Sequence, residues 1–119
     1  MPTIDIGFSP CPNDTFIFDA LVNQKIDTKG YTFNIYLEDV QTLNEWAIAG
    51  KLLYSKISYG VWPLLKNNYQ LLKSGGALGK GVGPLLIYKD QQPAVETMQV
   101  AIPGINTTAH LLFSLAFPE

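Results

Sequence analysis

The sequence predicts an α/β fold with a mostly parallel sheet, and three observations support it. Apolar residues alternate with polar ones over short stretches typical of strands. Between those stretches, apolar residues recur at helical spacing. The two kinds of stretch follow one another along most of the 119 residues. Strands that are separated by helices favour parallel pairing, because the helix carries the chain back to the starting edge of the sheet.

The first strand and first helix lie on either side of a stiff loop. Ile4, Ile6 and Phe8 alternate with polar or small residues and predict the strand. The loop SPCPND follows, in which two prolines fix the backbone and remove two donors. The helix after it is predicted to have Asn13 or Asp14 as its N-cap, because both residue types favour that position.

The second strand and second helix have clearer boundaries. Tyr31 to Leu37 alternates strictly and predicts a strand. Asp39 is the predicted N-cap of the next helix, and Gly50 lies where a helix of this length would end. The predicted apolar face of this helix is Val40, Leu43, Trp46 and Ala47.

Five further elements are predicted in the second half. The third strand spans residues 52–58, and a short helix spans 60–67. After a glycine-rich loop, residues 84–88 and 98–102 predict a fourth and a fifth strand. The last helix covers residues 107–117 and is followed by a proline.

Composition narrows the classes of function. The net charge is −2 and the basic residues form no cluster, so a nucleic-acid partner is not expected. All eight basic residues are lysines, which rules out an arginine fork for binding a carboxylate. The longest apolar stretch is too short to cross a bilayer. The first residues do not resemble a secretory signal, and we expect a cytoplasmic protein.

Small polar residues occur at three corners where a predicted strand leads into a helix. The corners are Ser9 with Asn13 and Asp14, then residues 58–60, then Gly104 with residues 107–108. The carboxyl ends of parallel strands border the ligand crevice of an open sheet, and helix N-termini there attract anions. Helix capping explains each corner equally simply. When the three corners are considered together, helix capping and ligand binding explain them about equally well.

Three other features are weaker candidates for function. Cys11 is better explained as a small buried thiol than as a nucleophile, because no base lies near it in the sequence. His110 lies in an apolar helical run and is interpreted as structural or solvent-facing rather than catalytic. The segment 74–84 holds five glycines but fits neither the phosphate-loop nor the dinucleotide spacing. We interpret it as a hinge or pocket wall, with a mobile loop as the alternative.

Five motifs, taken in order, resemble the 1,4-dihydroxy-6-naphthoate synthase family of the futalosine route to menaquinone. They are SPCPNDTFIF, LEDVQTLNEWAIAGKL, SKISYG, LLKSGGALGKGVGPLL and AIPGINTTAHLL. The resemblance implies a fold like type II periplasmic binding proteins, with two α/β lobes. Residues 1–90 would form the N-terminal portion of the first lobe, and residues 91–119 the start of a truncated second lobe. It also implies a carbon–carbon lyase acting on cyclic dehypoxanthine futalosine, with no metal and no organic cofactor.

The resemblance also implies a set of substrate-binding positions. They are Ser9, Asn13, Lys56, Ile57, Ser58, Thr107 and Thr108. The family's general base is a histidine expected beyond residue 119, so the catalytic residues stay unassigned and this chain alone is expected to be inactive. We also expect it to self-associate or to be only marginally stable. Two alternatives remain: a non-catalytic module that binds small carboxylates, of the periplasmic-receptor type, and the related chorismate dehydratase.

Overall fold

The computed structural model describes residues 1–91 and 94–118, and strands and helices alternate as predicted over residues 3–65. The three strands are β1 (Thr3–Phe8), β2 (Thr32–Leu37) and β3 (Tyr54–Ser55). The four α-helices are α1 (Pro12–Val22), α2 (Val40–Ile48), α3 (Trp62–Leu65) and α4 (Thr108–Ala116). Short 3₁₀ turns occupy Tyr59–Val61 and Val95–Thr97.

The sheet is parallel, which confirms that part of the prediction. β1 is the central strand, with β2 on one side and β3 on the other. The β1–β2 register runs from Thr3 opposite Thr32 to Phe8 opposite Leu37. All three strands therefore end at the same edge of the sheet. The first predicted corner follows β1 and the second follows β3, whereas the third follows no strand of the described residues.

Helix α2 packs closely against the central strand. Leu43 of α2 is fully buried, and Leu52 is almost so. A Cβ on Gly7 would lie 2.6 Å from a Leu52 methyl and 2.8 Å from a Leu43 methyl. Glycine at the penultimate position of β1 thus allows the helix to approach the sheet. A second cluster forms where Ala47 meets Val61 and Leu65.

The two ends of α2 match the prediction, whereas the start of α1 does not. The Asp39 carboxylate accepts hydrogen bonds from the backbone N–H groups of Gln41 (2.9 Å) and Thr42 (3.0 Å), as an N-cap should. Gly50 follows the helix with φ of +67°. In α1, however, Cys11 is the N-cap and its side chain makes no capping bond.

The proposed caps of α1 were wrong for a physical reason. Pro12 has its φ already set for a helix and lacks the N–H that would go unsatisfied there, so the helix begins at that residue. Asn13 and Asp14 are consequently inside the first turn. Cys11 is half-buried rather than buried.

The elements predicted after α2 are shorter or absent. β3 covers two residues of the predicted 52–58, because Ser55 pairs with Gly7 and β1 ends one residue later. The helix predicted over 60–67 begins as a 3₁₀ turn and ends at Leu65. Within the described residues, segments 84–88 and 98–102 are not strands.

Lack of backbone partners explains the two missing strands. No backbone hydrogen bond joins segments 84–88 and 98–102 to each other or to any described residue. An apolar run shows that a segment can be buried, but a strand needs a hydrogen-bonded neighbour. Residues 92 and 93, at the start of the predicted second lobe (91–119), lie outside the described residues, as does Glu119.

Candidate functional site

The first corner is organised around the buried carboxylate of Asp14. One carboxylate oxygen accepts hydrogen bonds from Ser9, from its N–H at 3.2 Å and its hydroxyl at 2.7 Å. The other oxygen lies 2.6 Å from the ammonium of Lys56. Asp14 therefore connects the loop after β1 to the residue that follows β3.

Opposing effects act on the pKa of Asp14. Burial raises the pKa of its carboxyl, but the hydrogen bonds from Lys56 and Ser9, together with the lysine charge, outweigh burial and hold the pKa below its ordinary value. The group is therefore a carboxylate at neutral pH. It partly neutralises Lys56 and fixes the position of that ammonium.

Lys56 keeps donor capacity beyond this ion pair. An ammonium carries three hydrogens, and Asp14 takes one of them. The backbone N–H of Lys56 donates to Gly7 O at 2.7 Å, so the residue is held beside β1. Its side chain is 23% exposed, which leaves the head group within reach of a ligand.

The second and third corners are joined by Asn44 of α2, which is fully buried. Its amide nitrogen donates to Ser58 Oγ (3.0 Å) and to the carbonyl oxygen of Asn106 (2.9 Å). Its amide oxygen accepts from the N–H of Ser58 at 2.9 Å. One side chain thus holds together two corners that are distant in the sequence.

Gly60 provides a second link between these corners. Its N–H donates to Thr108 Oγ1 at 2.9 Å. A Cβ at this position would lie 3.0 Å from Thr108 Cα and 3.2 Å from the carbonyl oxygen of Thr107, both of them backbone atoms. Glycine is therefore required for the 3₁₀ turn to contact the start of α4.

Gln41 of α2 holds the loop before α4. Its side-chain oxygen accepts from the N–H of Asn106 at 3.0 Å, and its side-chain nitrogen donates to Glu45 at 2.8 Å. Gly104 has φ of +148°, and a Cβ there would overlap the Gln41 side chain. Both observations explain why a glycine stands at this turn.

Thr107 and Thr108 differ in how their hydroxyls are used. Thr107 is buried, and its hydroxyl donates to Gly104 O (2.7 Å) and accepts from the N–H of His110 (3.3 Å), so it caps α4. Thr108 is half-buried and uses its oxygen to accept from Gly60. The Thr108 hydroxyl is thus the better placed of the two for a ligand.

Two other predicted positions lie apart from this network. Asn13 is exposed in the first turn of α1. Ile57 packs against the apolar cluster of Ala47, Val61 and Leu65. Of the seven predicted positions, the network includes Ser9, Lys56, Ser58, Thr107 and Thr108.

The sequence analysis missed the residues that connect the corners. Asn44 stands beside Leu43 on the apolar side of α2, and a polar residue among core positions needs a buried partner. That signal could have identified it. Asp14 was interpreted as a cap, and nothing in the sequence distinguishes a capping carboxylate from one that binds a lysine.

Two cavities lie away from this network, on the side of α4 that faces segments 84–88 and 98–103. Their volumes are about 820 Å³ and about 520 Å³, and their walls are mostly apolar. His110 lines the larger cavity, and its Nδ1 lies 3.1 Å from the carbonyl oxygen of Ile105. This contact agrees with a structural role for His110. We place the candidate site at the corners because the polar groups converge there.

The described residues offer neither a cluster of metal ligands nor a helix that could span a membrane. Within 1–91 and 94–118, no three histidine, cysteine or acidic side chains come together as metal ligands would. Over the same part of the chain, each helix is too short or too polar to span a bilayer.

The chain is an α/β protein with a parallel sheet. A hydroxyl residue and a lysine follow its strand ends, and the N-terminus of α4 contacts the turn after β3. This arrangement forms a candidate site for a small polar or anionic molecule. Comparison with known proteins is more specific. The model of the family described as "Menaquinone biosynthesis" matches residues 4–119. The chain belongs to this family.

Two curated relatives carry the same name. The chain is 48% identical over 115 residues to the 1,4-dihydroxy-6-naphthoate synthase of Thermus thermophilus, covering 97% of this chain and 42% of the relative. It is 39% identical over 113 residues to the enzyme of that name from Streptomyces coelicolor, covering 95% of this chain and 40% of the relative. This chain thus spans about two fifths of the length of these relatives.

Proposed function

We propose that this chain supplies the substrate-binding part of a 1,4-dihydroxy-6-naphthoate synthase. The complete enzyme would be a lyase that converts cyclic dehypoxanthine futalosine to 1,4-dihydroxy-6-naphthoate in menaquinone biosynthesis. Membership of the menaquinone biosynthesis family and the shared name of the two relatives support this proposal.

The observation that carries the proposal is that side-chain hydrogen bonds hold the three corners in two clusters, which meet in the segment 56–60. Asp14 links the first corner to Lys56, two residues before the second corner, and Asn44 and Gly60 link the second corner to the third. Helix capping alone does not require the corners to be connected. A binding site does, because its groups must converge on one ligand.

In this proposal the chain binds and orients the substrate. Lys56 and the hydroxyls of Ser58 and Thr108 would contact oxygen atoms of a carboxylate, with the N-terminus of α4 adding a favourable dipole. Ser9 would position Asp14. A histidine further along the complete protein, implied by the family resemblance, would remove the proton.

The remaining parts of the proposal concern the complete protein. They are a two-lobed fold like type II periplasmic binding proteins, a lobe boundary at residue 90, a cytoplasmic location, and a reaction without metal or organic cofactor. A substrate enclosed between lobes would be shielded from water, which strengthens its hydrogen bonds to the corner residues.

Calorimetric titration with 1,4-dihydroxy-6-naphthoate tests the binding role. We expect this chain to bind the naphthoate, and Ser58→Ala to weaken binding about tenfold, since a hydrogen bond to a charged group is lost. Ser74→Ala, at an exposed serine in the glycine-rich loop, is the matched control and should bind as tightly as the wild type. Equal affinity of all three proteins would reject this binding site.

A chimera tests the enzymatic role. Here this chain would replace the matching 42% of the Thermus thermophilus relative. We expect the chimera to form 1,4-dihydroxy-6-naphthoate, and Ser58→Ala within it to raise KM. A folded chimera that binds the naphthoate but forms none would contradict the enzymatic role and favour a binding module.

A further inference from the structure

The orientation of the Asn44 amide is fixed by its partners. A backbone N–H can only donate, and that of Ser58 points at one amide atom, which must therefore be the oxygen. A carbonyl oxygen can only accept, and that of Asn106 lies beside the other atom, which must be the nitrogen. With the amide oxygen and nitrogen exchanged, neither hydrogen bond could form.

This orientation determines the direction of the Ser58 hydroxyl. The Asn44 nitrogen donates to Ser58 Oγ, so the hydroxyl accepts from inside the protein. Its single hydrogen has no acceptor among the described residues and is left to point away from Asn44. Ser58 is half-buried, so this hydrogen can reach a ligand.

The Thr108 hydroxyl also accepts a hydrogen bond from inside the protein. Its oxygen accepts from the backbone N–H of Gly60, an unambiguous donor, at 2.9 Å. The Thr108 hydrogen is thereby also directed away from its partner. Two hydroxyls on neighbouring corners are thus both set as donors, although an isolated hydroxyl can equally well accept.

We infer that Asn44 is a positioning residue that, by donating to Ser58, makes the candidate site select hydrogen-bond acceptors such as a carboxylate. The inference rests on the proposed binding function, which it deepens by naming the ligand group and the residue that selects it. Asn44 need not touch the ligand, because it acts through the Ser58 hydroxyl.

A purely structural role for Asn44 makes a different prediction. If Asn44 only stabilises the fold, its replacement weakens binding independently of Ser58. If it acts through Ser58, its replacement has a smaller effect once the Ser58 hydroxyl is gone, and what remains comes from its contact with Asn106. A double-mutant cycle separates the two cases.

The test uses Asn44→Asp. The new carboxylate still accepts from the Ser58 N–H, but its second oxygen attracts the Ser58 hydroxyl hydrogen inward and can no longer donate to the carbonyl oxygen of Asn106. We expect Asn44→Asp and Ser58→Ala each to weaken binding of 1,4-dihydroxy-6-naphthoate about tenfold, and the loss in the double variant to be smaller than the product of the two losses. Multiplied losses in the double variant would overturn the inference. Leu43→Val, at the adjacent buried position, controls for loss of stability and should retain affinity.

A second measurement needs neither the variant at position 44 nor a ligand. Hydrogen exchange of side-chain amides by NMR should show both Asn44 protons protected, compared with the exposed Asn67. In Ser58→Ala, one of the two should exchange faster. If the Asn44 protons exchange as fast as those of Asn67, the inference fails. If the wild type does not bind the naphthoate but this exchange pattern is found, the proposed function fails while the positioning of Ser58 by Asn44 stands.

Discussion

The carboxylate of Asp14 and the ammonium of Lys56 lie 2.6 Å apart and join the first turn of α1 to the residue after β3. Asp14 is almost completely buried, whereas the lysine side chain is 23% exposed. A pair of this kind contributes little net stability when intact, because both charges lose hydration. Removing one partner is costly, since the other is then left without compensation.

Asp14→Asn should therefore lower the free energy of unfolding. The amide can still accept from Ser9, but Lys56 loses its counter-charge. We expect a loss of about 1–3 kcal/mol, below the value for a fully buried pair because Lys56 is partly hydrated. Urea denaturation measures it. Asp19→Asn is the control, since its ion pair with Lys25 is exposed, and it should change stability much less. Equal effects of the two variants would contradict the role given to Asp14.

The depressed pKa of Asp14 also predicts an acid dependence of stability. The folded-state pKa lies below the ordinary value of 3.8, so the carboxylate favours the folded state above that pH. This contribution should disappear as the pH falls through the folded-state pKa. Urea denaturation between pH 7 and the acid limit of folding would show the loss. In Asp14→Asn the decline should be smaller, and identical pH profiles would count against the prediction.

Gly60→Ala should separate the second corner from the third. The added methyl would meet backbone atoms of Thr107 and Thr108, which cannot rotate away as a side chain would. We expect a loss of about 1–3 kcal/mol in the free energy of unfolding, together with weaker naphthoate binding. Gly83→Ala is the matched control, because nothing lies within 4 Å of a Cβ there. Thermal unfolding and calorimetry would refute the prediction if both variants behave like the wild type.

The sequence was sufficient to predict those parts of the fold that depend on local signals. β1, β2 and α2 follow from periodicity, and the Asp39 cap and the Gly50 stop have direct chemical signatures. The prediction of the fourth and fifth strands was wrong because a strand needs a hydrogen-bonded neighbouring strand, and an apolar run does not show whether one is present. The predicted N-cap of α1 was wrong because the helix begins at Pro12, which places Asn13 and Asp14 inside its first turn.

The same distinction applies to the candidate site. Ser9, Ser58 and Thr108 were predicted as ligand positions because small polar residues after predicted strands can border the ligand edge of an α/β sheet, and this stays a prediction. Asp14 and Asn44 act across the fold: Asp14 binds Lys56, 42 residues away, and Asn44 binds the carbonyl oxygen of Asn106, 62 residues away. No local pattern encodes contacts over such separations.

Thr107 and Thr108 should respond differently to mutation. Thr107→Ala removes the N-cap of α4 and should cost about 1 kcal/mol of stability, while Thr107→Ser, which keeps the hydroxyl, should cost less. Thr108→Val removes a hydroxyl set as a donor and should weaken naphthoate binding about tenfold. Calorimetry and denaturation on all three variants separate the effects. A loss of affinity in Thr107→Ala that exceeds that of Thr108→Val would show that Thr107 is the ligand contact.

Self-association should depend on the exposed apolar residues of the segment 78–88. Leu78 is 90% exposed, Leu85 82% and Ile87 84%. Several large apolar side chains exposed within one segment favour association, because each contact removes apolar surface from water. We expect sedimentation velocity to show a concentration-dependent oligomer that the double substitution Leu85→Glu with Ile87→Glu converts to monomer. Leu64→Glu, at an exposed leucine in α3, is the control and should leave the oligomer intact. A wild type that stays monomeric at every concentration would contradict the prediction, and an oligomer that survives the double substitution would place the association elsewhere.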